Sequence, residues 1–254
     1  MNGLKIVFHE KYLEDYPTVS VECPDRVRCI HEELREGFDF IEPRPAGEDD
    51  LRLVHSEELI RRVRRQSKLT YEVARLSAGG AIRAAEVAVE GEPSFALIRP
   101  PGHHAGTNSN WGFCFFNNMA ISIERLRREG RVEAALIVDI DLHYGDGTAE
   151  IFGGVPEVSF IDVGGGDRES YLGALSEALS VHRGYDVVAL SAGFDRHVGD
   201  WGGLLRTEDY RTIGEMIKGC SEKECDGRRY ALLEGGYNIS VLGGNARALL
   251  DGLR

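Results

Sequence analysis

Six short apolar runs punctuate the chain, at Leu4–Phe8, Phe95–Ile98, Ala134–Ile140, Val158–Val163, Val187–Leu190 and Tyr230–Leu233. They are continuous and do not alternate with polar residues, which is the pattern of strands covered on both faces. Longer segments lie between or beside them, with apolar positions recurring every 3.6 residues: Asp25–Arg35, Ser56–Arg65, Tyr71–Glu90, Asn117–Arg128, Glu169–Ser180, Thr207–Cys220 and Ser240–Leu250. These are the predicted helices. Thr207, followed by Glu208 and Asp209, makes a helix start, because a hydroxyl can cap and acids favour the positive end of the helix dipole. Alternation of strand and helix predicts an α/β fold with a mostly parallel central sheet and helices on both faces. No repeat, low-complexity stretch or Pro/Ser-rich linker breaks the chain, so one domain over residues 1–254 is expected.

Composition narrows the field without adding to this picture. With 254 residues, 42% hydrophobic and 28% charged, the chain is long enough for a sizeable core and far from disordered or fibrous compositions. No apolar run approaches the ~20 residues of a membrane span, and Met1–Phe8 lacks the features of a signal peptide, so a cytoplasmic location is expected. The five cysteines, Cys23, Cys29, Cys114, Cys220 and Cys225, are odd in number and show no CxxC spacing. Free thiols in a reducing compartment follow from that. A net charge of -12 repels phosphate backbones, which makes nucleic acid an unfavourable partner. Arg61–Arg65 is a basic run read as a solvated helix face, and His9, His31, His55, His182 and His197 are read as surface or packing residues.

The chemistry collects behind four of the apolar runs: Arg99-Pro-Pro-Gly-His103-His104, Asp139-Ile-Asp141-Leu-His143, Ser191-Ala-Gly-Phe-Asp195 and Glu234-Gly-Gly-Tyr237. Ligands of open α/β sheets bind at the carboxyl ends of parallel strands, so these clusters are expected on one rim. Asp139, Asp141 and His143 are spaced by two and would project to one side of an extended chain. A strand end bonded to nearby loops would give the same pattern. Adding Asp195 makes a set of two carboxylates and one imidazole that leaves a coordination position open for water, as catalytic Zn²⁺ requires. Fe²⁺ or Co²⁺ suit the same donors. The His103–His104 pair suits acid–base work if a carboxylate such as Asp139 or Asp146 orients each ring. Tyr237, after two glycines, offers a phenol to a developing oxyanion.

The motifs RPPGHHA, GFCFFNN, VDIDLHYGDG, SAGFD and LEGGYN together resemble the zinc-dependent histone deacetylase and acetylpolyamine amidohydrolase family, in family order from Arg99 to Asn238. Glu22-Cys-Pro-Asp-Arg26-Val-Arg28 resembles the family's amino-terminal Pro-Glu-Arg element. The resemblance implies an arginase/deacetylase-like fold and hydrolysis of an acetylated amine, either acetyl-lysine or an acetylpolyamine. By this resemblance Asp141, His143 and Asp195 would be the metal ligands, and His103 and His104, partnered by Asp139 and Asp146, would be the catalytic pair. Tyr237 would be the catalytic tyrosine, and Gly112 and Phe113 would touch the acyl-lysine chain. A monovalent cation such as K⁺ would sit near Asp139 and Asp162, partly on backbone carbonyls.

Two segments depart from the family. Only Gly164-Gly-Gly-Asp167-Arg168 separates the run ending at Val163 from the next helix, so the aromatic expected opposite Phe113 is missing. The stretch Gln66–Tyr71 is trimmed where relatives carry a rim loop. A shallow, wide-mouthed site is therefore expected, unless a neighbouring subunit completes the wall. Two other readings are an arginase-like ureohydrolase with a dinuclear manganese centre and a non-catalytic binding protein on the same fold. The first needs further carboxylates near Asp195, where Arg196 and His197 stand.

Overall fold

The computed structural model describes residues 3–254. Seven strands, β1 (Lys5–Val7), β2 (Asp39–Ile41), β3 (Ser94–Ala96), β4 (Ala135–Asp139), β5 (Val158–Asp162), β6 (Val187–Ala192) and β7 (Arg229–Leu233), form one sheet in the order β2-β1-β3-β7-β6-β4-β5. Every pairing is parallel. The α/β expectation is met, and in a stricter form than "mostly parallel".

The four strands in the middle of the sheet, β3, β7, β6 and β4, are buried at every position. That accounts for their continuous apolar sequences, since both faces meet helices and neither meets water. These are also the four strands whose ends carry the polar clusters. Because they are adjacent and parallel, they bring all four clusters to one edge of the sheet.

Nine α-helices join the strands among the described residues: α1 (Asp25–Leu34), α2 (Glu48–Leu51), α3 (Glu57–Gln66), α4 (Lys68–Val89), α5 (Asn118–Arg128), α6 (Asp146–Phe152), α7 (Arg168–Val181), α8 (Thr207–Glu224) and α9 (Ile239–Leu253). Several of their starts are fixed by side-chain caps. Ser56 accepts from Leu59 N, Ser67 from Thr70 N, Asn117 from Ala120 N and Asp167 from Ser170 N. Thr207 is the first helical residue and not the cap: Arg206 holds that place, and its amide donates to Asp209 Oδ2 at 2.8 Å. Ser67 alone separates α3 from α4, so the trimmed segment at Gln66–Tyr71 is helix on both sides.

The sequence pattern missed β2, α2 and α6. β2 is a three-residue edge strand whose first residue is exposed, and a period cannot be read from three positions. α2 and α6 are too short to repeat a hydrophobic face.

Candidate active site

The floor of the site is assembled from the ends of β4, β6 and β7. Asp139 is the last residue of β4, buried, and pairs in register with Ser191 of β6 on one side and Asp162 of β5 on the other. Its Oδ1 accepts from Asp141 N at 3.0 Å, which turns the chain and sends the Asp141 side chain into the sheet edge. Asp141, His143 and Asp195 present ligand atoms that all lie within 4.8 Å of one another. His143 Nδ1 stands 3.3 Å from Asp141 Oδ1 and 3.1 Å from Asp195 Oδ2. Each carboxylate is held by its far oxygen: Gly235 N donates to Asp141 Oδ2 at 2.8 Å, and Leu142 N to Asp195 Oδ1 at 2.9 Å. Gly235 must be glycine, because a Cβ there would lie 2.5 Å from Asp141 Oδ2.

The charges of this triad call for a cation. Hydrogen bonds to Asp141 and Asp195 push His143 up to about 10. Burial, then Asp141, pushes Asp195 up to about 6. Burial opposes the charged form of Asp141 too, but His103, His143 and the Gly235 amide hold it below the usual carboxylate range. Asp195 Oδ2 is buried and, apart from the 3.1 Å approach of His143 Nδ1, has no hydrogen-bond partner, a costly state for a carboxylate oxygen. Convergent nitrogen and oxygen donors with one orphaned oxygen fit a divalent metal ion.

Beside the triad stand the two histidines, their rings 4.0 Å apart. His103 Nδ1 pairs with Asp139 Oδ2 at 3.0 Å, and His104 Nδ1 with Asp146 Oδ1 at 2.6 Å. Each ring therefore keeps Nε2 free and has its tautomer set by a carboxylate. The two differ in charge preference. Burial disfavours charge on His103, but Asp141 and Asp139 outweigh it and raise the pKa. Burial and then the neighbouring His103 lower His104 to about 4.

A cavity of about 100 Å³ opens from this floor, lined by His103, His104, His143, Trp111, Phe113, Trp201 and Tyr237 among others. Gly112 takes φ +57°, and any side chain on it would strike the His104 ring. Phe113 also has positive φ, at 68°, a strained conformation for a side-chain-bearing residue and common at functional sites. Its ring meets Tyr237 edge-on at 5.8 Å. Burial drives the Tyr237 phenol well above its ordinary pKa, so it remains a proton donor.

The mouth differs from the expectation. The β5–α7 loop is as short as the sequence implied, yet the aromatic wall is not missing. Trp201, from the β6–α8 loop, stacks on Tyr237 at 4.1 Å and 17° and meets His143 edge-on at 5.9 Å. The chain itself thus narrows the mouth. The place near Asp139 and Asp162 expected to hold a monovalent cation lies beneath the end of β4. The Arg196 guanidinium is there, its Nε 3.0 Å from Asp141 O and 3.3 Å from Ile140 O.

Several residues have supporting roles that the sequence reading did not assign. Glu234 Oε2 accepts the amides of Gly102 (2.7 Å) and His103 (3.2 Å), fixing the histidine loop to the end of β7. His55, read as surface or packing, bridges two site loops: Nδ1 lies 2.9 Å from Gly106 O, and Nε2 accepts from Asn117 N at 2.9 Å. Asp200 Oδ2 accepts the amides of both Tyr237 and Asn238, each at 2.7 Å. Arg26 is buried, donates to Gly236 O at 2.6 Å, and lies 4.8 Å from the Tyr237 ring centre. Only a motif or a fold could have flagged them, since their partners are backbone groups 37 to 210 residues away. The exception is Trp111, seven residues past His104: its Nε1 donates to Asp146 Oδ2 at 2.8 Å and its ring lies 3.8 Å from that of His104.

Comparison with known proteins decides the family. The model of the histone deacetylase domain matches residues 20–171 and 165–253. The chain belongs to the histone deacetylase family. A probable deacetylase of Archaeoglobus fulgidus is 35% identical, with 92% of this chain and 81% of that protein covered. The polyamine deacetylase HDAC10 of Mus musculus is 27% identical over 94% of this chain and 46% of its own length. Among solved structures, the HDA15 HD domain superposes with a TM-score of 0.87 and 27% identity, covering all of this chain and 90% of that one. As a member of the histone deacetylase family the chain is a hydrolytic deacetylase with the arginase/deacetylase fold. The ureohydrolase alternative lacks its carboxylates: after Asp195, Arg196 donates to backbone carbonyls and His197 Nδ1 accepts from Gly199 N at 3.0 Å. No helix among the described residues is long and apolar enough to cross a membrane.

Proposed function

We propose that this deacetylase removes acetyl, or a related small acyl group, from acetyl-lysine or from an acetylated polyamine or other small amine, with the help of one divalent ion. The observation that carries the reading is the convergence of Asp141, His143 and Asp195 on one point beside the two carboxylate-bound imidazoles. Zn²⁺ suits the donors best, and Fe²⁺ or Co²⁺ suit them as well. When bound by Asp141, His143 and Asp195, such an ion supplies Lewis acidity and lowers the pKa of water.

The chain's residues account for the rest. Gly112 and Phe113 flank the substrate's methylene chain, with Trp201 and Trp111 completing the apolar wall. His103 and His104 present free Nε2 atoms to the reacting centre: one accepts the proton of the attacking water, and the other delivers a proton to the departing amine. Asp139 and Asp146 keep both rings oriented and stabilise the charge each gains. The Tyr237 hydroxyl donates a hydrogen bond to the oxyanion of the tetrahedral intermediate, and Asp200 and Arg26 hold the loop that carries it. The mouse polyamine deacetylase among the relatives supports an acetylated amine as substrate. Five unpaired thiols support a reducing, cytoplasmic location.

The test is turnover of a fluorogenic acetyl-lysine amide and of acetylated polyamines by protein of verified metal content. Chelation is expected to abolish activity and added Zn²⁺ to restore it. Undiminished turnover in the chelated, metal-free protein would refute the metal-dependent reading.

A further inference from the structure

We propose that the Arg196 guanidinium is a built-in cation that replaces a bound monovalent ion beneath the end of β4, so that the site is organised without potassium. Arg196 directly follows Asp195 and is buried to 8% exposure. Nε donates to Asp141 O and Ile140 O at 3.0 and 3.3 Å, and Nη2 lies 4.0 Å from Asp162 Oδ1. The guanidinium carbon stands 4.9 Å from the ring centre of Tyr171. Two backbone carbonyls, a carboxylate and an aromatic face thus surround one positive charge.

The donors a monovalent ion would need are already in use. Asp139 spends Oδ1 on Asp141 N and Oδ2 on His103 Nδ1. Asp162 spends Oδ2 on Gly145 N at 3.1 Å, and its other oxygen faces Arg196. The carbonyls of Ile140 and Asp141 point at a charge that is present at every physiological pH. A second cation there would meet a like charge at close range, in surroundings of low dielectric.

The arrangement also balances the buried charge. Asp139 is matched by His103, Asp162 by Arg196, and the Asp141–Asp195 pair by the divalent ion. A covalently attached cation carries no cost of capture from solution, and it ties the β6 end to the carbonyls flanking Asp141. It therefore positions two ligand-bearing segments relative to each other without touching substrate.

The experiment compares thermal unfolding and turnover in KCl, NaCl and choline chloride at equal ionic strength. The wild-type protein is expected to melt at the same temperature and turn over at the same rate in all three. Arg196→Ala is expected to melt lower and to regain part of the loss in KCl but not in choline chloride, because a ligand that binds only the folded state stabilises it by mass action. Arg196→Lys, which keeps the charge, is expected to remain insensitive to the choice of salt. A wild-type melting temperature that rises in KCl over choline chloride would overturn the proposal, as would one K⁺ per chain retained after gel filtration. Both readouts on the wild-type chain stand even if Arg196→Ala does not fold, and neither depends on the identity of the substrate.

Discussion

The floor and the mouth of this site are built by different means. The floor comes from the ends of the adjacent strands β4, β6 and β7, is largely buried, and pairs nearly every charge with a named partner. The mouth comes from loops, consists of Trp111, Phe113, Trp201 and Tyr237, and is held by ring contacts and a few backbone amides. Trp111 and Trp201 are about half exposed. A strand end has little freedom to shift, because its neighbours in the sheet fix it, whereas a loop aromatic can be supplied from more than one place. Trp201 illustrates this: the β5–α7 loop is short, and the wall is furnished by the β6–α8 loop instead.

Substitutions that separate the two regions should separate kcat from KM. The largest effect is expected for Tyr237→Phe, where loss of the oxyanion donor lowers kcat about 10²–10³-fold with little change in KM. Turnover near the wild-type level would remove Tyr237 from the chemistry. Next comes stability. Burial lowers His55 to about 4 from its ordinary 6.5, so it folds neutral while the unfolded chain takes up a proton. Its contribution is complete above pH 6.5, is lost as pH falls from 6.5 to 4, and amounts to about 3 kcal/mol. Denaturant unfolding across that window should show a slope that His55→Gln flattens; an identical slope in the variant would exclude His55 as its source.

Smaller effects are expected at the outer wall. Trp201→Ala should raise KM about tenfold, equivalent to ~1.4 kcal/mol, while kcat falls less. A fall confined to kcat would mean that Trp201 acts only by steadying Tyr237. The smallest change is predicted for Trp111→Phe, which keeps the ring on His104 but removes the hydrogen bond to Asp146. About a threefold loss in kcat follows for a bond to a half-exposed carboxylate, and steady-state kinetics across pH would register it.

The same division explains what could be read from the sequence. Continuous apolar runs announced six of the seven strands, and the polar residues directly behind four of them announced the floor, because a strand places its next residues at the sheet edge by geometry alone. Asp141, His143, Asp195, the histidine pair and its two carboxylates all meet there as expected. The mouth and its supports were less legible. Trp201 sits in a Gly-rich loop with no period, and its stacking on Tyr237 depends on how two loops fold over each other. His55 contacts the backbone of residues 51 and 62 positions away, which no local pattern encodes. Nor does an arginine in a sequence disclose whether it turns outward or, as Arg196 does, under the sheet toward the carbonyls of Ile140 and Asp141.

The chain has just two tryptophans, and both stand at the entrance that an incoming amide must pass. Indole emission of the unlabelled protein, excited at wavelengths beyond the absorption of its nine tyrosines, is therefore a built-in reporter of ligand entry. Keeping either indole alone, by exchanging the other for phenylalanine, would reveal which side of the doorway a given amide touches first.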